Sequence, residues 1–471
     1  MANYLEEVRA QYENYPYPMR NPNDEKKRLV IVNGDSLDQL NYYCYEGKET
    51  FEGFRVLVAG GGTGDGTIFL AEQFRDKNAE IVHLDMSSAS VAMAKKRAET
   101  RGLNNITWMQ ESLLDIPKLD LGEFDLINCI GVLHHLADPD EGFRCIASVL
   151  KDSGAMSLMV YGKYGRTGVY QMQELMRFVN DGEENPQEKV ENCKKVLSYL
   201  PEHNWFKRGE SKNDDHITKG DVGIYDLLLH SQDRAYSVPE VYEFVAKQNL
   251  HLLDFYERRG LGKFSYSPDS FLKDPVLLEK ISAMDIIQQR AISELVSGGT
   301  PTHCFYASKQ KKRVPSIEDK ECVIFLTQYC TGDSSDAYRR VYKAVCDAHG
   351  ESVRITNQVL FIEFPIEFPK TELTEDVCAR IDGVKSIGSI IEEVFEKHKD
   401  GAGFSEEQIH DELRVVFAAF SQFDWMFLKH ETVPVFKTST QLQNETLKSV
   451  SIGHSPVPTT VLSRLARMPW S

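Results

Sequence analysis

Between residues 54 and 161, short continuous apolar runs alternate with segments whose apolar positions recur every three to four residues. Residues 54–59 (Phe-Arg-Val-Leu-Val-Ala) form a run of strand length that ends in glycines, and residues 68–74 take up helical spacing after it. Residues 79–85 read as a second strand, followed by a helix that Ser87 or Ser88 caps and that stops at Gly102. Residues 105–109 and 124–129 supply a third and a fourth strand. A helix presenting Phe143, Ile146 and Leu150 on one face then leads, through a turn at Gly154, into a fifth strand at residues 155–161. Repeated strand-helix units of this kind specify a parallel sheet with helices on both faces.

From about residue 165 to 245 the pattern changes. Residues 171–176 and 190–200 read as helices, and residues 209–220 as a loop. Strand signals return at residues 250–255 and 302–307, which completes a seven-stranded sheet and makes the intervening helical stretch an insertion over its carboxyl edge. The basic run at residues 309–313, followed by Pro315, reads as a linker. Beyond it, residues 321–329 and 351–364 are strand-like, and Ile387, Ile390, Ile391, Val394 and Phe395 keep helical spacing, as do Ile409, Leu413, Val416, Phe417 and Phe420. With an aromatic strand at residues 423–427, these elements predict a small α+β, winged-helix-like module. The expected organisation is therefore an α/β domain at 1–310, with its helical insertion at about 165–245. An accessory domain at 318–436 and a polar tail at 437–471, in part disordered, complete it.

Length and composition agree with two domains: 471 residues, 41% hydrophobic and 27% charged. The formal net charge of -17 disfavours a partner held by its phosphates, so nucleic acid is not expected. The longest apolar runs, at residues 323–326 and 359–362, fall far short of the roughly 20 residues of a membrane span. No basic segment followed by an apolar one opens the chain. Nine cysteines without a Cys-x-x-Cys pair suit reduced thiols, with no disulfide framework and no metal site; the expected location is cytoplasmic.

Chemistry concentrates in the loop Gly60-Gly61-Gly62-Thr63-Gly64-Asp65-Gly66-Thr67, between the first strand and the first helix. Its glycines allow a tight turn and a close backbone approach to a ligand. No register gives Gly-x-Gly-x-x-Gly, since after Gly60 and Gly62 the third glycine would fall at Asp65. A nicotinamide dinucleotide is thereby excluded. No Gly-Lys-Ser/Thr follows, so the loop is not a phosphate-binding Walker loop either. Asp85 ends the second strand, where its carboxylate can accept from two ribose hydroxyls or cap the next helix. Residues 110–117 (Gln-Glu-Ser-Leu-Leu-Asp-Ile-Pro) follow the third strand, and residues 128–139, with His134 and His135, follow the fourth.

These motifs resemble class I S-adenosylmethionine-dependent methyltransferases, over residues 50–161 and more loosely from Tyr12 to Ala307. The resemblance implies a Rossmann-like fold and S-adenosyl-L-methionine as cofactor. It assigns cofactor contacts to Gly60, Gly62, Gly64, Asp85, Met86, Ser112, Leu113, Asn128 and Ile130. The family's motif opens on an acidic residue, and this chain has Val58 there. Recognition of the cofactor's amino group then falls to backbone carbonyls or to Asp65, the nearest carboxylate. His134 or His135, or Tyr161 at the end of the fifth strand, is a candidate general base; the alternative is that one histidine packs on the sheet while the other caps the loop.

Three further segments look like an accessory pattern of a subset of the family: residues 12–18, 161–170 and 230–236. They nominate Tyr15, Tyr17, Tyr164, Arg166, His230, Arg234 and Tyr236 as substrate contacts, with Lys163, Arg166 and Arg234 suited to a carboxylate. The implied acceptor is a small molecule or a peptide or protein nucleophile. A non-catalytic scaffold with a degenerate methyltransferase fold is the competing expectation, favoured by Val58 and Ser112. The accessory module is expected to serve homodimerisation or docking, so that deleting residues 318–471 leaves cofactor affinity intact.

Overall fold

Strands β1 (Arg55–Ala59), β2 (Glu80–Leu84), β3 (Ile106–Met109), β4 (Phe124–Ile130), β5 (Leu150–Gly162), β6 (Ala235–Tyr236), β7 (His251–Tyr256) and β8 (Thr302–Ser308) build one sheet. Its order is β3-β2-β1-β4-β5-β8-β7, with β6 paired to β5 off this path. The computed structural model describes residues 9, 12–13, 16–256, 264–327, 337–349, 352–359, 362–400 and 403–444. Strands β1 to β5 pair in parallel, and β8 runs antiparallel between β5 and β7. All seven expected strands are present. The eighth, β6, has two residues, too few to carry a period.

Two boundaries differ from the sequence pattern. Strand β5 begins at Leu150, opposite Phe124, and a register shift brings Ala155 opposite Leu126. The preceding helix Pro139–Ala147 therefore ends before Leu150, and Gly154 lies inside the strand rather than in a turn. A bulged strand breaks the alternation that a periodicity argument needs. The expected loop at residues 209–220 instead contains a 3-10 turn, Glu210–Lys212, and a short helix, Asp215–Thr218. Those residues are almost all polar, so no apolar stripe marks them. The helices expected at 171–176 and 190–200 appear as Thr167–Val179 and Pro186–Ser198, and a further helix that the pattern does not mark, Gly220–Leu228, closes with them over Met172, Met176, Cys193, Phe206 and Leu227.

The carboxyl-terminal part is α+β. Strands β9 (Cys322–Leu326) and β12 (Met426–His430) form one antiparallel pair, and β10 (Ser352–Val359) and β11 (Ile362–Pro369) form another. Helices Ile387–His398 and Glu406–Ser421 appear where the spacing predicts them, the second opened by a capping box at Ser405. The aromatic strand starts at Met426 rather than 423, because Asp424 takes a positive φ of 57° in the turn before it.

This part does not hang from a free linker. Lys309 and Lys312 each donate to β5 carbonyls, of Leu150 and Ser153, at 2.5 Å. Helix Leu37–Cys44 lies between the large sheet and β12: Tyr42 stacks on Phe427 with centroids 4.3 Å apart, and Tyr43 Oη donates to Asp424 at 2.5 Å. One buried cluster runs from Val56 and Leu126 through Tyr43 and Tyr306 to Phe427, Val416 and Phe368. Of the polar tail, Leu442 is buried beside Leu29, Val32 and Ile68, and residues 445–471 lie outside the described residues. Among the described residues no helix is long and apolar enough to cross a membrane.

Candidate active site

Parallel strands point their carboxyl ends at one edge of a sheet, and ligands of open α/β folds bind there. Here that edge carries a cavity of about 910 Å³, lined by Gly60, Gly62, Asp85, Asn128, Ile130 and Tyr161 among others. Gly60 has φ 71°, and a Cβ added to it would sit 2.5 Å from a methyl group of Val132. Only glycine fits both the backbone and the space. Gly64, at φ 97°, does not line the cavity: a Cβ there would meet Ala94 of helix Ser88–Arg101 at 2.8 Å, so this position serves helix packing.

Asp85 organises the loop. One carboxylate oxygen accepts the Gly62 N–H at 2.7 Å and the other the Ser87 N–H at 2.8 Å. The cap of the next helix is Ser87, whose Oγ accepts from Ser90, which leaves Asp85 for the cavity. Burial pushes its pKa up, against the two N–H donors. Each oxygen keeps lone-pair directions that those backbone donors do not use. Met86, Ser112 and Leu113 line the same wall; Ser112 Oγ accepts from the Leu114 N–H at 3.2 Å. The Asn128 amide is oriented by donation to Asp35 at 2.7 Å.

Asp65 lines the cavity, but its carboxylate is already engaged. Its carboxylate accepts from Arg20 Nε at 2.8 Å and Arg97 Nη1 at 2.7 Å, and those guanidiniums hold its pKa below the usual value despite burial. It locks the amino-terminal arm to the loop, and its charge is already neutralised toward an ammonium.

The substrate and base candidates divide into two groups. Tyr17, His135, Tyr161 and Arg166 line the cavity, with Arg166 held 3.5 Å over the Tyr161 ring. His134 is fully buried against that ring and off the cavity, with neither ring nitrogen hydrogen-bonded among the described residues. Burial drives its pKa well down, which together with its place off the cavity disfavours it as the base. His230 is also off the cavity and stacks on His135 at 3.9 Å. Tyr236 points the other way: it lies in β6, where successive side chains alternate faces, and packs inside against Phe244. Arg234 is exposed over the Tyr236 ring, and half-buried Tyr164 does not line the cavity. Exposed Lys163 likewise lies off it. Of the three cations expected to hold a carboxylate, only Arg166 is therefore in place. Tyr15 lies outside the described residues.

Sequence reasoning missed Asp226, which is 5% exposed and lines the cavity from helix Gly220–Leu228. The available signal is a lone carboxylate in the apolar run Ile224-Tyr225-Asp226-Leu227-Leu228. Burial, then Asp215, raises its pKa to about 7 against the pull of Arg166 and Lys219, with Asp233 and Tyr12 also close. A carboxylate protonated more readily in the folded chain contributes stability that is complete below about pH 4 and lost as pH rises through 7. Asp226→Asn is thus expected to leave the melting temperature unchanged near pH 4 and to raise it at pH 8, by the equivalent of about 4 kcal/mol. A pH-independent difference in thermal scans would contradict this.

Residues 57–156, the stretch from β1 into β5, match the family described as Methyltransferase domain. The chain carries a class I S-adenosylmethionine-dependent methyltransferase domain. Among curated proteins, a Synechococcus protein of uncharacterised function is 34% identical over 206 residues, which are 43% of this chain and 49% of the relative. The tRNA 5-carboxymethoxyuridine methyltransferase of Escherichia coli K12 is 33% identical over 112 residues, 24% of this chain and 41% of the relative. The chain thus spans about half the length, or less, of these relatives. PKMT2 of Rickettsia typhi, solved in complex with AdoHcy, has a similar fold, with a TM-score of 0.59 at 15% identity. That likeness covers 84% of this chain and 75% of the other. It is a larger share than residues 1–310 can supply, so the common fold extends past the methyltransferase domain.

Proposed function

We propose that the chain transfers a methyl group from S-adenosylmethionine to a nucleophile of a small molecule or of a peptide or protein. The observation that carries the reading is Asp85, half-buried just past the end of β2 with both oxygens bound to backbone N–H groups and still facing the cavity. The glycine loop offers the cofactor backbone without side chains, Asp85 offers acceptors for ribose hydroxyls, and Met86 with Leu113 offers apolar contact for a base. When bound, the cofactor supplies a methyl group already activated on a sulfonium. What remains for the protein is orientation and exclusion of water, so no nucleophilic triad is required. The cavity lies near the upper end of the range for small-molecule pockets, which leaves room for an acceptor beside the cofactor. The net charge of -17 speaks against a nucleic-acid acceptor.

Calorimetric titration of the full chain with S-adenosylmethionine tests the reading; absence of binding would leave the scaffold alternative. Asp85→Ala is expected to weaken that binding by about 1–3 kcal/mol, the scale of losing charge-assisted hydrogen bonds. Unchanged affinity would remove Asp85 from the cofactor site.

A further inference from the structure

The acceptor end of the cavity is walled by tyrosines and charged groups whose pairing is incomplete. Lys219 pairs with Asp215 at 2.8 Å, and Arg166 lies 3.7 Å from Asp233. Asp226 has no cation within ion-pair distance among the described residues, though it is 5% exposed and faces the cavity. The side-chain hydrogen bond it makes among the described residues is a long contact of 3.5 Å from Tyr12 Oη to Oδ1. His230 Nδ1 accepts the Gln232 N–H at 3.2 Å, which puts the neutral ring's proton on Nε2, 3.4 Å from the same Tyr12 oxygen. The Tyr12 hydroxyl is thereby set to accept from His230 and to donate to Asp226. Tyr12 also spans the two ends of the cavity, because its carbonyl accepts from Ser87 Oγ at 3.2 Å, next to Asp85.

A buried carboxylate without a cation is costly unless a ligand supplies one. We propose that the methyl acceptor is an amine, and that Asp226 binds its ammonium and takes a proton from the nitrogen; this rests on the methyltransferase reading above. The balance is simple. An ammonium N–H bond breaks and the proton passes to Asp226, leaving a neutral amine. The nitrogen lone pair then forms the N–C bond, the C–S bond pair returns to sulfur, and the product leaves as a methylated ammonium. His135, which also lines the cavity, donates Nδ1–H to the Gln232 carbonyl at 3.0 Å and has its pKa pushed down to about 4 by burial. It is a much weaker proton acceptor than Asp226, whose raised pKa lies closer to that of an alkylammonium.

The test uses the full chain saturated with S-adenosylhomocysteine and titrated calorimetrically with n-butylammonium chloride, with n-butanol as the neutral control. Saturable binding of the ammonium, none of butanol, and a loss of about tenfold or more in Asp226→Asn are expected, the loss matching one charged hydrogen bond. The variant should bind S-adenosylhomocysteine as wild type does, which shows that it is folded. If wild type binds no S-adenosylhomocysteine, the methyltransferase reading fails and this inference with it. If S-adenosylhomocysteine binds but n-butylammonium does not, or binds Asp226→Asn equally well, only the amine assignment is overturned. A variant weakened toward S-adenosylmethionine but not toward S-adenosylhomocysteine would place Asp226 against the sulfonium and overturn it too.

Discussion

Removing residues 318–471 is expected to destabilise the methyltransferase sheet rather than to release it intact. Charge and linker composition suggest a detachable module; packing argues otherwise. The deletion would uncover Tyr42 and Tyr43 on helix Leu37–Cys44, now 7% and 2% exposed, and remove Phe427 from the stack and Asp424 from the Tyr43 hydroxyl. The His430 N–H donated to the Gly47 carbonyl would also be lost. At about 1.5–3 kcal/mol for each large side chain returned to water, these losses reach roughly 5 kcal/mol. That is comparable with the entire stability of a typical domain, about 5–15 kcal/mol. The same helix follows Asp35, which orients Asn128 in the cavity wall, so cofactor affinity should fall along with stability. Thermal unfolding of both chains, followed by circular dichroism with and without S-adenosylmethionine, decides the matter. A truncated protein that melts as wild type does, with unchanged affinity, would establish independent domains.

What could be read from sequence follows from how local each signal is. Strands β1, β2 and β4 are largely apolar because both their faces are mostly buried, and such runs need no partner to be recognised. The glycine loop and Asp85 likewise carry their meaning in spacing. The acceptor side depends instead on which face a short element turns to the cavity. Residues 230–236 place chemically rich side chains within a few positions, yet neither Arg234 nor Tyr236 lines the cavity, Tyr236 because β6 pairs with β5 and alternation turns it to the other face. Asp226 had the opposite fate, since a carboxylate in an apolar helix is silent until the cavity beneath it is known. The shared core was also hidden. Tyr42 and Phe427 are 385 positions apart, and nothing in either local pattern names the other.

Glu25→Ala is expected to cost about 3–5 kcal/mol of stability, the penalty for leaving buried charges without their partner. Glu25 is 2% exposed, and its carboxylate accepts from Arg97 Nε at 2.8 Å and from Arg101 Nε. Both arginines project from helix Ser88–Arg101, and both are buried. Arg97 reaches onward to the Thr63 carbonyl at 2.8 Å and to Asp65, while Arg101 Nη2 reaches the Arg28 carbonyl at 2.6 Å. One carboxylate thus joins the amino-terminal arm, the helix after β2 and the glycine loop. Its removal should weaken S-adenosylmethionine binding as well, because a loosened loop must be ordered again on binding, at about 1–2 kcal/mol for each residue fixed. The exposed pair Arg55–Glu80, with side chains 34% and 41% accessible, is the control: Glu80→Ala should cost no more than about 1 kcal/mol. Equal effects of the two substitutions in urea unfolding would show that the Glu25 network contributes no more than a surface ion pair. A stability loss confined to Glu25→Ala, with cofactor affinity unchanged, would separate the arm's structural role from the loop it holds.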